Sequence, residues 1–136
     1  MKKIRFIILL MMFGLISCED TVNTANQPVF VIKNNTNEYV VMLLTLRDEV
    51  VKSGYPEGGL VEIQAHNSVT LSFPKYPASK TCKPSNIFTG LTFLDQRGIV
   101  IKDVDKIYNR EWEREHLYWE GSQGDKPIWV YTFEGK

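Results

Sequence analysis

A chain of 136 residues, 43% hydrophobic and 24% charged, has the composition of one globular unit; a collagen-like repeat, a wholly disordered chain and a multi-span membrane protein are excluded. Its 16 basic and 16 acidic residues balance, and the body of the chain holds no basic block that could gain affinity from clustered phosphates, so no nucleic-acid partner is expected.

In chain order, Lys2, Lys3 and Arg5 come first, then eleven uncharged residues from Phe6 to Ile16, then Glu19 and Asp20. A spanning helix needs about 20 apolar residues to cross ~30 Å of hydrocarbon. The shorter run reads as the core of a signal peptide over residues 1–17. Leu15-Ile16-Ser17-Cys18 resembles the lipobox of bacterial lipoproteins. That resemblance implies cleavage before Cys18, a lipid anchor on its thiol, and a membrane as the protein's first partner. The mature chain would then carry 13 basic against 16 acidic residues, because Lys2, Lys3 and Arg5 leave with the signal peptide. At ~0.8 kcal/mol per buried methylene, two or three acyl chains far exceed the marginal hold of one. With Cys18 consumed by lipid, Cys82 has no intrachain partner and stability has to come from packing.

Residues 18–27 pair that cysteine with a polar tether, Glu19 to Gln27, spanning roughly 17 Å on average. Glu19-Asp20 resembles the export tag of Bacteroidota surface lipoproteins, which implies a lipid-anchored protein exposed on the outer membrane. In enterobacterial sorting an acidic residue there favours retention at the inner membrane, so a periplasm-facing protein is the alternative.

From residue 28 to 136 the pattern has period two, broken every ten or so residues by turn chemistry, as in an all-β fold. Val29 to Lys33 reads as a strand, Asn34 to Asn37 as a turn, and Tyr39 to Leu46 as a second strand. Leu60 to Phe73 alternates on both sides of Ala65-His66-Asn67-Ser68 and reads as a half-buried hairpin. Phe73 to Asn86, with Pro74, Pro77 and Pro84, cannot lie inside a central strand and reads as a crossover between sheets. Ile87 to Leu94 and Ile99 to Lys102 form a hairpin around Asp95-Gln96-Arg97-Gly98. Trp112 to Trp119, after one helical turn, and Ile128 to Phe133 form the last pair. The expected fold is a single two-sheet antiparallel β-sandwich, Ig-like, of about seven or eight strands, and the whole resembles the small Bacteroidota-type lipoproteins with one such domain.

Chemistry-bearing residues are few. His66 falls in a turn, and His116 lies some fifty residues away on a charged strand, with no nucleophile elbow or zinc helix around either. Lys80 and Lys83 beside Cys82 would lower its thiol pKa. No base oriented by a third group is visible, and no catalytic residue is assigned. Asp103 with Asp105 supplies too few oxygens for calcium; Glu111, Glu113, Glu115 and Glu120 are interleaved with Arg110 and Arg114; neither metal nor cofactor is expected.

The strongest lead is the C-terminal aromatic density: Trp112, Tyr118, Trp119, Trp129, Tyr131 and Phe133. Trp129, Tyr131 and Phe133 share one strand face and read as core. Trp112, set among Arg110, Glu111 and Glu113, reads as the most exposed, and with Trp119, Tyr118 and His116 forms the candidate binding set. Tyr39 to Leu46 is apolar on both faces, so its outer face needs a cover, either the proline-rich crossover or a partner. The function expected is a non-enzymatic binding module at the cell surface contacting proteins or glycans. The alternatives are a periplasm-facing inhibitor or immunity-type protein and, third, a small hydrolase or thiol enzyme using Cys82 or His116.

Overall fold

Alternation along Val29–Asn34 sends Phe30, Ile32 and Asn34 inward while Val29, Val31 and Lys33 face out, and this first strand (β1) sets the register for one whole sheet. The computed structural model describes residues 27–77, 82–117 and 126–135. Within them β1 is followed by β2 (Val40–Leu46), a short helix α1 (Asp48–Lys52), β3 (Gly58–Ile63), β4 (Ser68–Leu71), β5 (Phe88–Leu94), β6 (Val100–Val104), β7 (Glu113–Leu117) and β8 (Lys126–Phe133). One sheet has the order β4-β1-β8-β7, the other β3-β2-β5-β6, and they pack face to face as an eight-stranded all-β sandwich.

Every neighbouring pair is antiparallel except β1 and β8, which run parallel from Val29 opposite Ile128 to Asn34 opposite Phe133. The chain therefore enters the sandwich at one pole, near Gln27, and leaves it at the other, past Phe133. Six strand residues separate the poles by about 20 Å.

Several expected elements form as read. β5 and β6 make the hairpin around Asp95 to Gly98, with Gly98 at φ +85°. Glu113 to Leu117 pairs with β8 after a 3-10 turn at Asn109–Glu111. The chain does cross between sheets from β4 to β5 through the proline-rich stretch. Nothing lies within 4 Å of a Cβ built on Gly98. Gly98→Ala is therefore a pure backbone perturbation, expected to cost about 1 kcal/mol in urea unfolding.

Leu60 to Phe73 is not a hairpin. β3 pairs with β2 while β4 pairs with β1 in the opposite sheet, so residues 64–67 form a corner between layers. Alternation tells which side chains point inward, and both arms satisfy it; it carries no information on which strand each arm joins. The corner is fixed by His66 at φ +58° and by the Asn67 amide donating to the Gln64 carbonyl at 3.0 Å.

The core is strung on aromatic rings. Tyr55 meets Phe73 edge-on at 5.3 Å, Phe73 meets Phe88 at 5.8 Å, and Phe88 stacks on Trp112 at 5.8 Å. Trp112 reaches Tyr131 at 5.4 Å, Tyr131 stacks on Phe93 at 5.9 Å, and Phe93 on Phe133 at 4.4 Å. This file of rings links both sheets along the sandwich, and each pair adds about 0.5–1.5 kcal/mol beyond the area it buries.

On the open flank, strands β6 and β7 each turn a cation inward over a ring. Lys102 lies 5.7 Å from the Tyr131 centroid and Arg114 lies 5.5 Å from that of Trp129. An inward-pointing charge on an edge strand disfavours pairing with a further strand, and the β-bulge opposite Phe93 and Leu94 adds to the effect.

Candidate functional site

The pole where β1 and β8 end is built around one buried amide. Asn34, 1% exposed, donates from Nδ2 to the carbonyls of Glu38 (2.8 Å), Ile63 (3.0 Å) and Gln64 (3.2 Å). Its Oδ1 accepts from the Thr36 amide at 3.1 Å and the Thr36 hydroxyl at 2.7 Å. The Asn34 amide donates to the Asn67 carbonyl at 2.8 Å, and the Asn35 amide to that of Phe133 at 2.9 Å. One side chain thus ties β1, the β1–β2 loop and the end of β3, and so joins the two sheets. The sequence reading placed Asn34 in a turn; its buried role is invisible there because asparagine is also the ordinary turn residue.

Two clefts open at this pole. The first, about 440 Å³, lies between the end of β8 and the start of β6, with Val40, Ile101 and Phe133 as apolar lining and Glu38, Asp95 and Arg97 among its polar groups. Asp95 organises the adjoining turn by accepting from the Ile99 amide (3.0 Å), the Arg97 amide (2.8 Å) and the Arg97 guanidinium (2.8 Å). The Ile99 amide, and after it the Arg97 side chain, hold the Asp95 carboxyl below its ordinary range. The second cleft, about 500 Å³, is lined by Lys33, Asn35, His66, Asn67, Ser68 and Thr132. His66 is exposed, as the turn reading expected, and its Nε2 lies 2.7 Å from Asn37 Oδ1. Both clefts are open and rich in hydrogen-bonding groups, which suits recognition of a polar ligand.

The sequence-derived binding set does not coincide with this pole. Trp112 is not exposed: at 5% it is core, flat on Phe88 and edge-on to Phe30 at 6.2 Å. Its charged neighbours point elsewhere because the 3-10 turn before β7 rotates Trp112 inward while Arg110 and Glu111 stay outside. Trp129, Tyr131 and Phe133 do face the core. Tyr118 and Trp119 lie outside the described residues, as does the side chain of His116, whose backbone sits on β7 opposite Pro127. Among the described residues no three of His, Cys, Asp and Glu converge as metal ligands would.

Cys82 is buried, and burial pushes its thiol up to about 11, against the lowering expected from neighbouring lysines. Its alkylation at pH 8 is expected to be slow in the folded protein and to become fast in denaturant. The unfolded chain, with a thiol near 9, gives up its proton first, so stability falls as pH rises from 9 towards 11. Cys82→Ala removes that slope, at most about 1.4 kcal/mol per pH unit.

No family model matches the chain, and neither a curated protein nor a solved structure matches it.

Proposed function

We propose that this protein is a lipid-anchored, non-enzymatic binding module whose cleft-bearing pole engages protein or glycan partners outside the outer membrane. The observation that carries the reading is the opposition of the two poles. The tether leading from Cys18 joins the sandwich at Gln27, whose Nε2 donates to the Tyr76 carbonyl at 3.3 Å, while both clefts lie about 20 Å away at the far ends of β1 and β8. A domain fastened through its first strand would carry those clefts away from the bilayer. Burial of the Cys82 thiol supports a role without nucleophilic chemistry.

The test has two arms. Cells fed labelled palmitate should yield labelled protein, and Cys18→Ser should abolish the label. Protease added to intact cells should remove the domain; survival until the envelope is broken would favour the periplasmic inhibitor reading instead. For ligand class, polysaccharide and protein arrays probed with the wild type and with Ser68→Arg, which fills the second cleft, should differ by at least tenfold on any true ligand. An unchanged profile would sink the pole as the binding site.

A further inference from the structure

Resting on the reading of this pole as the binding end, we propose that its second cleft takes an acidic sugar, a uronate unit of a glycan whose carboxylate sits on Lys33. Strand pairing puts Ser68 of β4 and Thr132 of β8 on either side of Lys33 in β1, in one row across three strands. Asn34, Tyr131 and Phe133 face inward, so alternation turns all three side chains of this row outward. With strands about 4.8 Å apart, the row sets one cation between two hydroxyl-bearing side chains. Among the described residues none of these three side chains has a hydrogen-bond or ion-pair partner.

Every described residue that lines this cleft of about 500 Å³ is polar, and none of them is a carboxylate. The Asn67 side-chain amide has no partner among the described residues and offers both donors and an acceptor. His66 Nε2 lies 2.7 Å from Asn37 Oδ1; an amide oxygen only accepts, so Nε2 carries the proton and Nδ1 is left as an acceptor. Amides and hydroxyls that donate and accept match sugar hydroxyls, which do the same. A peptide would find no apolar pocket here in which to bury an anchoring side chain.

Charge separates this cleft from its neighbour. In the first cleft Arg97 is already engaged by Asp95 Oδ2, at 3.2 Å from Nε and 2.8 Å from Nη2, and Glu38 adds a second carboxylate, so an anion would be repelled there. In the second, Lys33 brings a charge that no described carboxylate neutralises. Glu134, the acid nearest in the chain to Thr132, is turned onto Asn35 Nδ2 at 2.8 Å and lies outside the lining. One ammonium balances one carboxylate. The fit is therefore to an acidic sugar set among neutral ones, and a densely sulfated or phosphorylated polymer would meet the opposing field of Glu134.

Oligosaccharides cut from uronate-containing polysaccharides, each paired with the same chain after its carboxyls are reduced to alcohols, test this against the full-length protein in detergent. Fluorescence anisotropy should show a uronate chain binding and a loss of about fivefold or more on carboxyl reduction. Lys33→Gln should cause the same loss and flatten the salt dependence, and Lys33→Arg should retain both affinity and salt dependence. Lys33 is exposed, so both variants should melt as the wild type does. Ser68→Trp, which fills the cleft without adding charge, should abolish binding. Binding lost in Ser68→Trp but indifferent to Lys33→Gln and to carboxyl reduction would overturn the acidic class and leave the pole as a binding end; indifference to Ser68→Trp as well would sink both readings. Equal binding of a glutamate-rich peptide of matched charge, or no binding of any uronate chain, would also overturn the proposal.

Discussion

Asn34→Leu is expected to lower the unfolding free energy by about 3 kcal/mol, a drop of roughly 10–15 °C in Tm for a domain of this size. Leucine is close to asparagine in shape, so the loss comes from polar groups left without partners. The carbonyl of Ile63 is buried with the bond it accepts, those of Glu38 and Gln64 are partly so, and Thr36 loses the acceptor for both its amide and its hydroxyl. Each orphaned group costs about 1–3 kcal/mol where water cannot replace the partner, and less where the loop can relax towards solvent. Asn34→Asp separates donation from acceptance. It keeps the Thr36 bonds but turns a carboxylate towards three carbonyl oxygens, which raises its folded pKa above the unfolded value. The sign follows: the stability of the Asp variant is highest at low pH and is lost as pH rises through that folded value. Urea unfolding of wild type and both variants at pH 5 and pH 7 measures this. A difference between wild type and Asn34→Asp that does not grow with pH would refute the donor role.

What the sequence made legible follows from the kind of information alternation carries. Inward and outward positions are a local property, so Phe30 and Ile32 in β1, Trp129, Tyr131 and Phe133 in β8, and the Asp95–Gly98 turn could all be read without knowing what they pack against. Strand partnership is non-local. The arms around Ala65–Ser68 look like a hairpin because each has a buried face, yet one belongs to each sheet. Trp112 misled for a related reason: its sequence neighbours are charged, and only the turn at Asn109–Glu111 decides that its ring points the other way. Cys82 misled because nearby lysines were counted as if the thiol were in water, whereas burial dominates its ionisation.

The same distinction explains why the candidate site was the least legible part. Lys33, Asn35, His66, Asn67, Ser68 and Thr132 come from three separate segments and carry no motif; only the pairing of β1 with both β4 and β8 gathers them at one pole. The doubly apolar β2 was a signal that did carry over. Its inward face supplies Val40, Met42, Leu44 and Leu46 to the core, and on its outward face Val41 is buried and Leu43 half-buried, as a strand apolar on both faces requires.

Trp112→Ala is expected to cost about 3–5 kcal/mol, as for other large aromatic truncations in a core. The ring stacks on Phe88, meets Phe30 edge-on and touches Tyr131, so its removal interrupts the aromatic file between the two sheets. Trp112→Phe keeps a ring on Phe88 and should lose no more than about half as much. A surface tryptophan that stacks on sugar would behave in the opposite way: truncation would abolish binding and leave Tm nearly unchanged. Thermal unfolding and a polysaccharide titration of the same two variants therefore decide between the roles. The expected outcome is a large fall in Tm for Ala, a small one for Phe, and unchanged ligand affinity in the Phe variant. Trp112 and Asn34 share no partner, so their effects should add within about 0.5 kcal/mol. Total stabilities of 5–15 kcal/mol are usual for one domain; the double variant Asn34→Leu, Trp112→Ala would then lose about 6–8 kcal/mol, the whole stability of a domain at the lower end of that range, and melt well below Trp112→Ala alone. A double variant that still melts cooperatively near the Tm of Trp112→Ala alone would mean that the Asn34 bonds do not hold the two sheets together.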